Sequence, residues 1–295
     1  MPNAKLKNYL HLHLLVFIAG FTAILGELIT ITAVPLVWFR MVIALVIMFV
    51  YIKIVGVSIN ISFKNIMRYA FAGVIIALHW ITFFGSIDQA NISIALAMFS
   101  TGAFFASLIE PIIYKRKVIA YEIIFGILVI IGIFIITQSE IKYLTGIILG
   151  ISSAFLAALF AVFNGKFMEQ NSATVISFYE FIGGVLFITV FITLYGNGFN
   201  LDFFDLGTAD YGYLVILASV CTAYAFIAAV HVMKHLSPYT VVLTFNLEPI
   251  YGIVLALILF PEKEKMSPEF YLGAILIIAT VLVNGIIKNS KKLKR

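Results

Sequence analysis

The sequence predicts an all-α integral membrane protein of ten transmembrane helices, arranged as two inverted repeats of five. Three observations carry that expectation. Of the 295 residues, 63% are hydrophobic and only 11% charged, which excludes a water-soluble globule and a soluble enzyme on a single anchor. Apolar runs of about 20 residues, the length that crosses a bilayer, recur ten times between charged, Gly, Asn or Pro breaks. Short segments of the first half also recur, in the same order, in the second.

In the first half the runs are Tyr9–Leu28, Val34–Val55, Ile66–Ile87, Ile92–Tyr114 and Tyr121–Thr137. The second half gives Thr145–Phe167, Thr174–Tyr195, Tyr211–Met233, Pro238–Phe260 and Pro268–Ile287. The first run has no small-residue cleavage site and a second span follows closely, so it reads as a retained helix and not a signal peptide. Asn91 and Thr145 offer N-caps to the fourth and sixth spans. Ser237-Pro238 and Ser267-Pro268 place a capping hydroxyl before a first-turn proline, whose missing N–H costs nothing there. Gly146, Gly150, Ala154 and Ala158 form a small-residue stripe in the sixth span and predict close helix packing. The one substantial extramembrane stretch, Gly196–Asp210, reads as an interfacial loop, and Asp88, Asp202, Asp205 and Asp210 read as loop residues.

Basic residues set the expected orientation. Of 19 Lys and Arg, 15 fall on the side of the N-terminus, Lys142, Lys263 and Lys265 on the other, and Arg40 inside a span. The bias predicts both termini in the cytoplasm of a multi-pass plasma (inner) membrane protein. The net charge of +5 then suits a cytoplasmic membrane face better than nucleic acid. A single cysteine, Cys221, excludes a disulfide framework or a cysteine metal site and reads as apolar packing. No metal or cofactor is expected, and the expected partners are the bilayer and a small-molecule substrate, with a monomer or homodimer as the assembly.

Ten spans with both ends inside divide into two odd sets, which forces opposite orientations: residues 1–138 as the first repeat, and 139–295 as the second with its basic tail. Gly126-Ile127-Leu128-Val129-Ile130-Ile131 is similar to Gly273-Ala274-Ile275-Leu276-Ile277-Ile278, 147 residues later. Val37-Trp38-Phe39-Arg40 loosely matches Ile176-Ser177-Phe178-Tyr179-Glu180 at a shift near 140. Inverted repeats are characteristic of secondary transporters, where mirror-related conformations expose one central site to each side in turn.

Trp38-Phe39-Arg40 in the second span, Ser93-Ile94-Ala95-Leu96 at the start of the fourth, Phe245-Asn246-Leu247-Glu248-Pro249 in the ninth and the Gly-led fifth and tenth spans resemble the EamA-type family of the drug/metabolite transporter superfamily. The resemblance covers essentially the whole chain. It implies a ten-helix permease whose pocket is lined by spans 1, 3, 4, 6, 8 and 9, with 5 and 10 peripheral. One departure is that Pro249 falls on Ala103 at the shift of 146 that aligns the fourth and ninth spans, where the family pattern often has proline. Glu110-Pro111, 138 residues from Glu248-Pro249, is not its repeat partner.

Ionisable side chains inside lipid are costly unless a cavity or partner receives them, so each is a candidate. Glu248 lies mid-span beside Pro249, which frees the Phe245 carbonyl, and could bind a substrate ammonium or a coupling proton; the alternative is a kink with a protonated Glu bonded within the bundle. Thr244, Glu248 and Tyr251 would share a helix face, with Asn246 displaced from it. His79, Trp80, Phe83 and Phe84 form two adjacent i,i+4 pairs: an aromatic wall for a planar or cationic solute, or packing. Tyr224 is a further pocket candidate, with His231 placed at the cytoplasmic end. Arg40 and Glu180 occupy corresponding places in the two repeats, and Glu27 is positioned to gate or to pair with Arg40. Secondary transport of small organic metabolites such as amino acids or amines, by alternating access and with proton coupling open, is the expected function. An intramembrane enzyme or a channel is the alternative, but neither a catalytic constellation nor a repeated filter is visible, and the chain is expected not to be an enzyme.

Overall fold

The computed structural model describes residues 2–115, 117, 120–226, 228, 232 and 244–292, with side chains at 6–115, 117, 123–226, 228, 232 and 244–287. Every element among them is helical. The helices are α1 (Pro2–Leu28), α2 (Ala33–Val55), α3 (Phe63–Gln89), α4 (Ile92–Phe99), α5 (Gly102–Tyr114) and α6 (Ala120–Ser139). A 3-10 turn at Ile141–Tyr143 leads into α7 (Leu144–Phe167), followed by α8 (Ala173–Tyr195), α9 (Leu201–Phe204) and α10 (Thr208–Ala218). α10 runs on as a π-helical segment, Ser219–Tyr224, and α11 (Glu248–Leu259) and α12 (Pro268–Lys292) are the remaining helices among the described residues. Among the described residues seven stretches are long and apolar enough to cross a bilayer, and two shorter apolar helices lie at Ile123–Ser139 and Glu248–Leu259. The expected cap at Ser237-Pro238, the end of the eighth span with His231, and Arg116 fall outside the described residues.

Large apolar side chains such as Ile54, Phe71, Ile112, Phe134, Leu186, Ile258 and Ile275 stand exposed on the outer faces of the helices. Lipid is the solvent that tolerates such a girdle, because helices satisfy their own backbone groups and present only hydrocarbon. Inside, small residues let the helices close. A Cβ on Gly73 of α3 would overlap the Glu180 carbonyl of α8, and one on Gly183 would overlap Ala70, so these helices cross backbone to backbone. Gly20 of α1 and Gly252 of α11 meet in the same reciprocal way, as do Gly132 of α6 and Gly273 of α12. The Gly146/Gly150 stripe of α7 receives Ala90 and Met98, each within 2.7 Å of where a Cβ would sit, so it is a packing surface as its spacing suggested.

Several helix ends follow the sequence and others depart from it. Asn91 caps α4 by accepting from the Ile94 N–H at 2.9 Å, and the Ser267 hydroxyl accepts from Phe270 N–H at 3.2 Å at the start of α12. Thr145 does not cap: the 3-10 turn moves the start of α7 to Leu144. The fourth span is not one continuous helix but breaks at Ser100 and Thr101, whose hydroxyls donate back to Ala97 O (2.6 Å) and Met98 O (2.7 Å). The ninth is likewise interrupted, with a non-helical turn at Asn246 and Leu247 before α11. At the shift of 146, Ser100 and Thr101 correspond to Asn246 and Leu247, so α5 and α11 restart at equivalent positions, Gly102 and Glu248. Asp88, Asp202 and Asp210 are not loop residues; they lie in α3, α9 and α10, while Asp205 follows α9.

Candidate functional site

The break before α11 changes the setting of Glu248. It is not in mid-helix: it opens α11, with Pro249 in the first turn where no N–H is needed. A helix N-terminus favours a carboxylate, because unpaired N–H groups and the macrodipole face it. The side chain is half-buried. Across the bundle it interacts electrostatically with Arg40 of α2, and no ion pair joins the two among the described residues.

Arg40 is only 4% exposed. Its guanidinium carbon lies 3.9 Å from the centroid of the Trp80 ring and 5.7 Å from that of Phe84, both on α3. Desolvated stacking of this kind stabilises the cation through the ring quadrupole. Its Nε donates to Thr222 Oγ1 at 2.8 Å, while Nη1 is buried without a hydrogen-bond partner. The π-helical turn sets up that contact. Thr222 Oγ1 donates to Leu217 O, five residues back, at 2.8 Å, and the widened turn brings Cys221 and Thr222 to the Arg40 side.

The aromatic wall of α3 divides into two faces. Trp80 and Phe84 meet Arg40, whereas His79 and Phe83 turn towards α4 and α7. His79 Nδ1 lies 3.0 Å from Ser153 O and 2.9 Å from Ser153 Oγ, and its ring stacks on Phe99 at 5.5 Å. Phe83 meets Phe99 edge-on at 5.6 Å. Glu180 is held by Asn164 Nδ2, which donates to its Oε1 at 2.7 Å, and its buried Oε2 has no partner; it does not meet Arg40. Glu27 pairs with Lys263, not with Arg40. Tyr224 is exposed and its hydroxyl is hydrogen-bonded to His11 Nε2 at 2.8 Å. Thr244 is buried and Asn246 half-buried at the interruption, so the expected Thr244–Glu248–Tyr251 helix face is broken; Tyr251 OH instead meets His13 Nδ1 at 3.1 Å.

Several polar and aromatic contacts gather at the end of the bundle where α1 connects to α2 and α3 to α4. Asp210 accepts from Thr30 N–H (2.8 Å) and Thr30 Oγ1 (2.7 Å), tying α10 to the α1–α2 connection. Glu264 is fully buried and accepts from the N–H groups of Ile92 (3.1 Å) and Ser93 (2.8 Å) at the start of α4. Phe199, Phe203 and Phe204 of the 196–210 stretch pack on Trp38 and Phe39 of α2, with Trp38 and Phe199 centroids 5.1 Å apart. Thr222, Glu264 and the His11 and His13 pairs were not singled out in the sequence. Two histidines two residues apart in the apolar first span were a legible signal; a threonine on a π-turn carries none.

The EamA-like transporter family matches residues 6–138 and again residues 144–286, which together span most of the chain. The chain belongs to the EamA-like transporter family. Such a protein is a multi-pass membrane transporter of the drug/metabolite superfamily built from two repeats. A solved structure described only as "Crystal structure of protein" is similar in fold, with a TM-score of 0.64 and 12% identity over 96% of this chain and 98% of that one. No curated protein matches the chain. Within this EamA-like protein Arg40, Trp80 and Phe84 come from the first matched copy, and Thr222 and Glu248 from the second. The charged site is thus assembled from both repeats.

Proposed function

We propose that this EamA-like protein is a secondary transporter of small organic metabolites such as amino acids or amines, working by alternating access at the Arg40–Trp80–Glu248 site. The observation that supports this most is the shared origin of the site. Its cation and aromatic platform belong to one repeat and its carboxylate to the other. A movement of one repeat against the other therefore changes the spacing of the very groups that would hold a solute. Interrupted helices at corresponding places, Ser100 with Thr101 and Asn246 with Leu247, put non-helical backbone next to Glu248 and supply the breaks such a movement uses.

In this reading the chain crosses the plasma membrane ten times with both termini cytoplasmic, and the Asp210 end faces outwards. Glu248 is the group that meets a substrate ammonium or takes up a coupling proton. The test is counterflow into proteoliposomes preloaded in turn with amino acids, amines and sugars. Saturable exchange of at least one class, absent from protein-free vesicles, is expected. If no class exchanges in vesicles that contain folded protein, the transport assignment falls.

A further inference from the structure

The connection from α11 to α12 reaches across to the first repeat. Glu264 in this connection is fully buried, and both its oxygens go to backbone: Oε1 accepts from Ile92 N–H at 3.1 Å and Oε2 from Ser93 N–H at 2.8 Å. These are the first N–H groups of α4, which no carbonyl of the helix itself can satisfy. Asn91 Oδ1 takes the next, from Ile94, at 2.9 Å, and Ala95 N–H then bonds back to Asn91 O at 3.1 Å. The start of α4 is therefore fully satisfied only while Glu264 is in place, held by charge-assisted bonds and by the helix dipole. Asn91 Nδ2 adds contacts to Lys263 O (3.4 Å) and Met266 Sδ (3.1 Å), and Lys263 Nζ pairs with Glu27 of α1. Residues 263–266 belong to the second matched copy and Glu27 and residues 91–93 to the first, so the clasp joins the repeats.

The mirror-related position cannot build this clasp. At the shift of 146 that aligns the fourth and ninth spans, Ile92 and Ser93 correspond to Pro238 and Tyr239, and proline has no N–H to give. Glu264 corresponds to Val118, and the whole α5–α6 connection, Lys115-Arg116-Lys117-Val118-Ile119, holds no carboxylate. In an inverted-repeat transporter the two end states arise when the repeats exchange conformations. With a donor and the acceptor both missing from one copy, the clasp stabilises one of those states and has no equivalent in the other.

We propose that Glu264 is a latch that biases the protein towards the conformation described here and releases whenever the helices at the Asp210 end part. The proposal rests on the alternating-access reading and adds that the two ends of the bundle are not equivalent.

Ser93 supplies the reporter. Its buried Oγ has no hydrogen-bond partner, so Ser93→Cys loses no bond, and in a Cys221→Ala background it leaves a single thiol. Purified protein in detergent is treated with a water-soluble maleimide, and the labelling rate reads how often the latch lifts. Slow but complete labelling is expected with Glu264 present. Glu264→Gln keeps the shape but gives up the charge and one of the two acceptors, and should speed labelling at least about tenfold. Glu262→Gln, an exposed charge on the same connection, should leave the rate unchanged. Lys263→Gln, which removes a 55% exposed partner, should raise it far less than Glu264→Gln.

A static cap predicts otherwise. No labelling of folded protein, equal rates with and without the Glu264 charge, or an equal gain from Glu262→Gln each overturns the latch. Where Glu264→Gln does not yield folded protein, residue-resolved hydrogen exchange of the unsubstituted chain decides. A latch lets the Ile92 and Ser93 amides exchange at least about tenfold faster than that of Ile94, whose acceptor moves with its own helix. Exchange of all three at one rate overturns it. Neither measurement uses a solute. Absent counterflow with the labelling order intact therefore counts against transport alone, and counterflow with the labelling order lost counts against the latch alone.

Discussion

Replacing Thr222 by valine removes the hydrogen bond that holds the Arg40 Nε, at nearly constant side-chain volume. Nε would join Nη1 as a second buried donor without a partner. A hydrogen bond to a charged group contributes about 1.5–3 kcal/mol in folded proteins, and interhelical bonds in membrane proteins average less, up to about 1.7 kcal/mol. A coupling of about 1–2 kcal/mol is therefore expected between the two positions. Thr222 also bonds to Leu217 O, so the single variant measures two losses. A double-mutant cycle separates them. Thr222→Val is compared in the Arg40 and Arg40→Met backgrounds by reversible unfolding in mixed micelles, and the difference isolates the Arg40 term. Thr222→Ser, which keeps the hydroxyl, should restore most of it. A coupling indistinguishable from zero would refute the claim that the π-turn exists to hold Arg40.

Further outcomes follow from the same contacts. Gly73→Ala drives a methyl group into the Glu180 carbonyl and should cost about 1–3 kcal/mol or more, seen as loss of monodisperse protein, whereas Gly212→Ala, with no atom within 4 Å of the new Cβ, should behave as the parent. Trp80→Ala should weaken apparent affinity about tenfold, through lost cation–π and aromatic contact, and more for bulky than for small polar solutes, with Trp80→Phe mild; competition transport normalised to folded protein reads this, and equal losses for all solutes would leave Trp80 as packing. Cysteines introduced by Asn200→Cys and Lys291→Cys in a Cys221→Ala background should label from outside and inside respectively; labelling of the second in intact cells by an impermeant reagent would overturn the orientation.

The all-helical repeat pair was legible because it depends on composition and length. Apolar runs such as Ala33–Val55 announce themselves by hydropathy, and Asn91 and Ser267 announce helix starts by side-chain chemistry. The site was legible only in part. Arg40, Trp80 and Glu248 stood out as costly or bulky groups in lipid, but which of them meet depends on helix rotation, which periodicity leaves free when every face is apolar. That is why the sequence offers Glu27 either a gating role or Arg40 as a partner although the structure gives it Lys263, and why one aromatic wall in the sequence is two faces in the structure. The break at Ser100 and Thr101 left no proline as a mark. Their hydroxyls bond back onto the helix, and the same residues are common in continuous spans. The π-turn at Ser219–Tyr224 is likewise a matter of tertiary demand, since a buried guanidinium on α2 needs an acceptor there.

Alternating access at a site shared by the two repeats requires the helices at the Asp210 end of the bundle to part during each cycle. Thr30 and Asp210, joined by hydrogen bonds of 2.7 and 2.8 Å, tie α10 to the α1–α2 connection at that end. The paired variant Thr30→Cys with Asp210→Cys can be oxidised to a disulfide, with each single variant as control, and its counterflow measured before and after cross-linking. The account predicts that exchange falls to the level of protein-free vesicles on oxidation and returns on reduction. Undiminished exchange through fully cross-linked protein would contradict it.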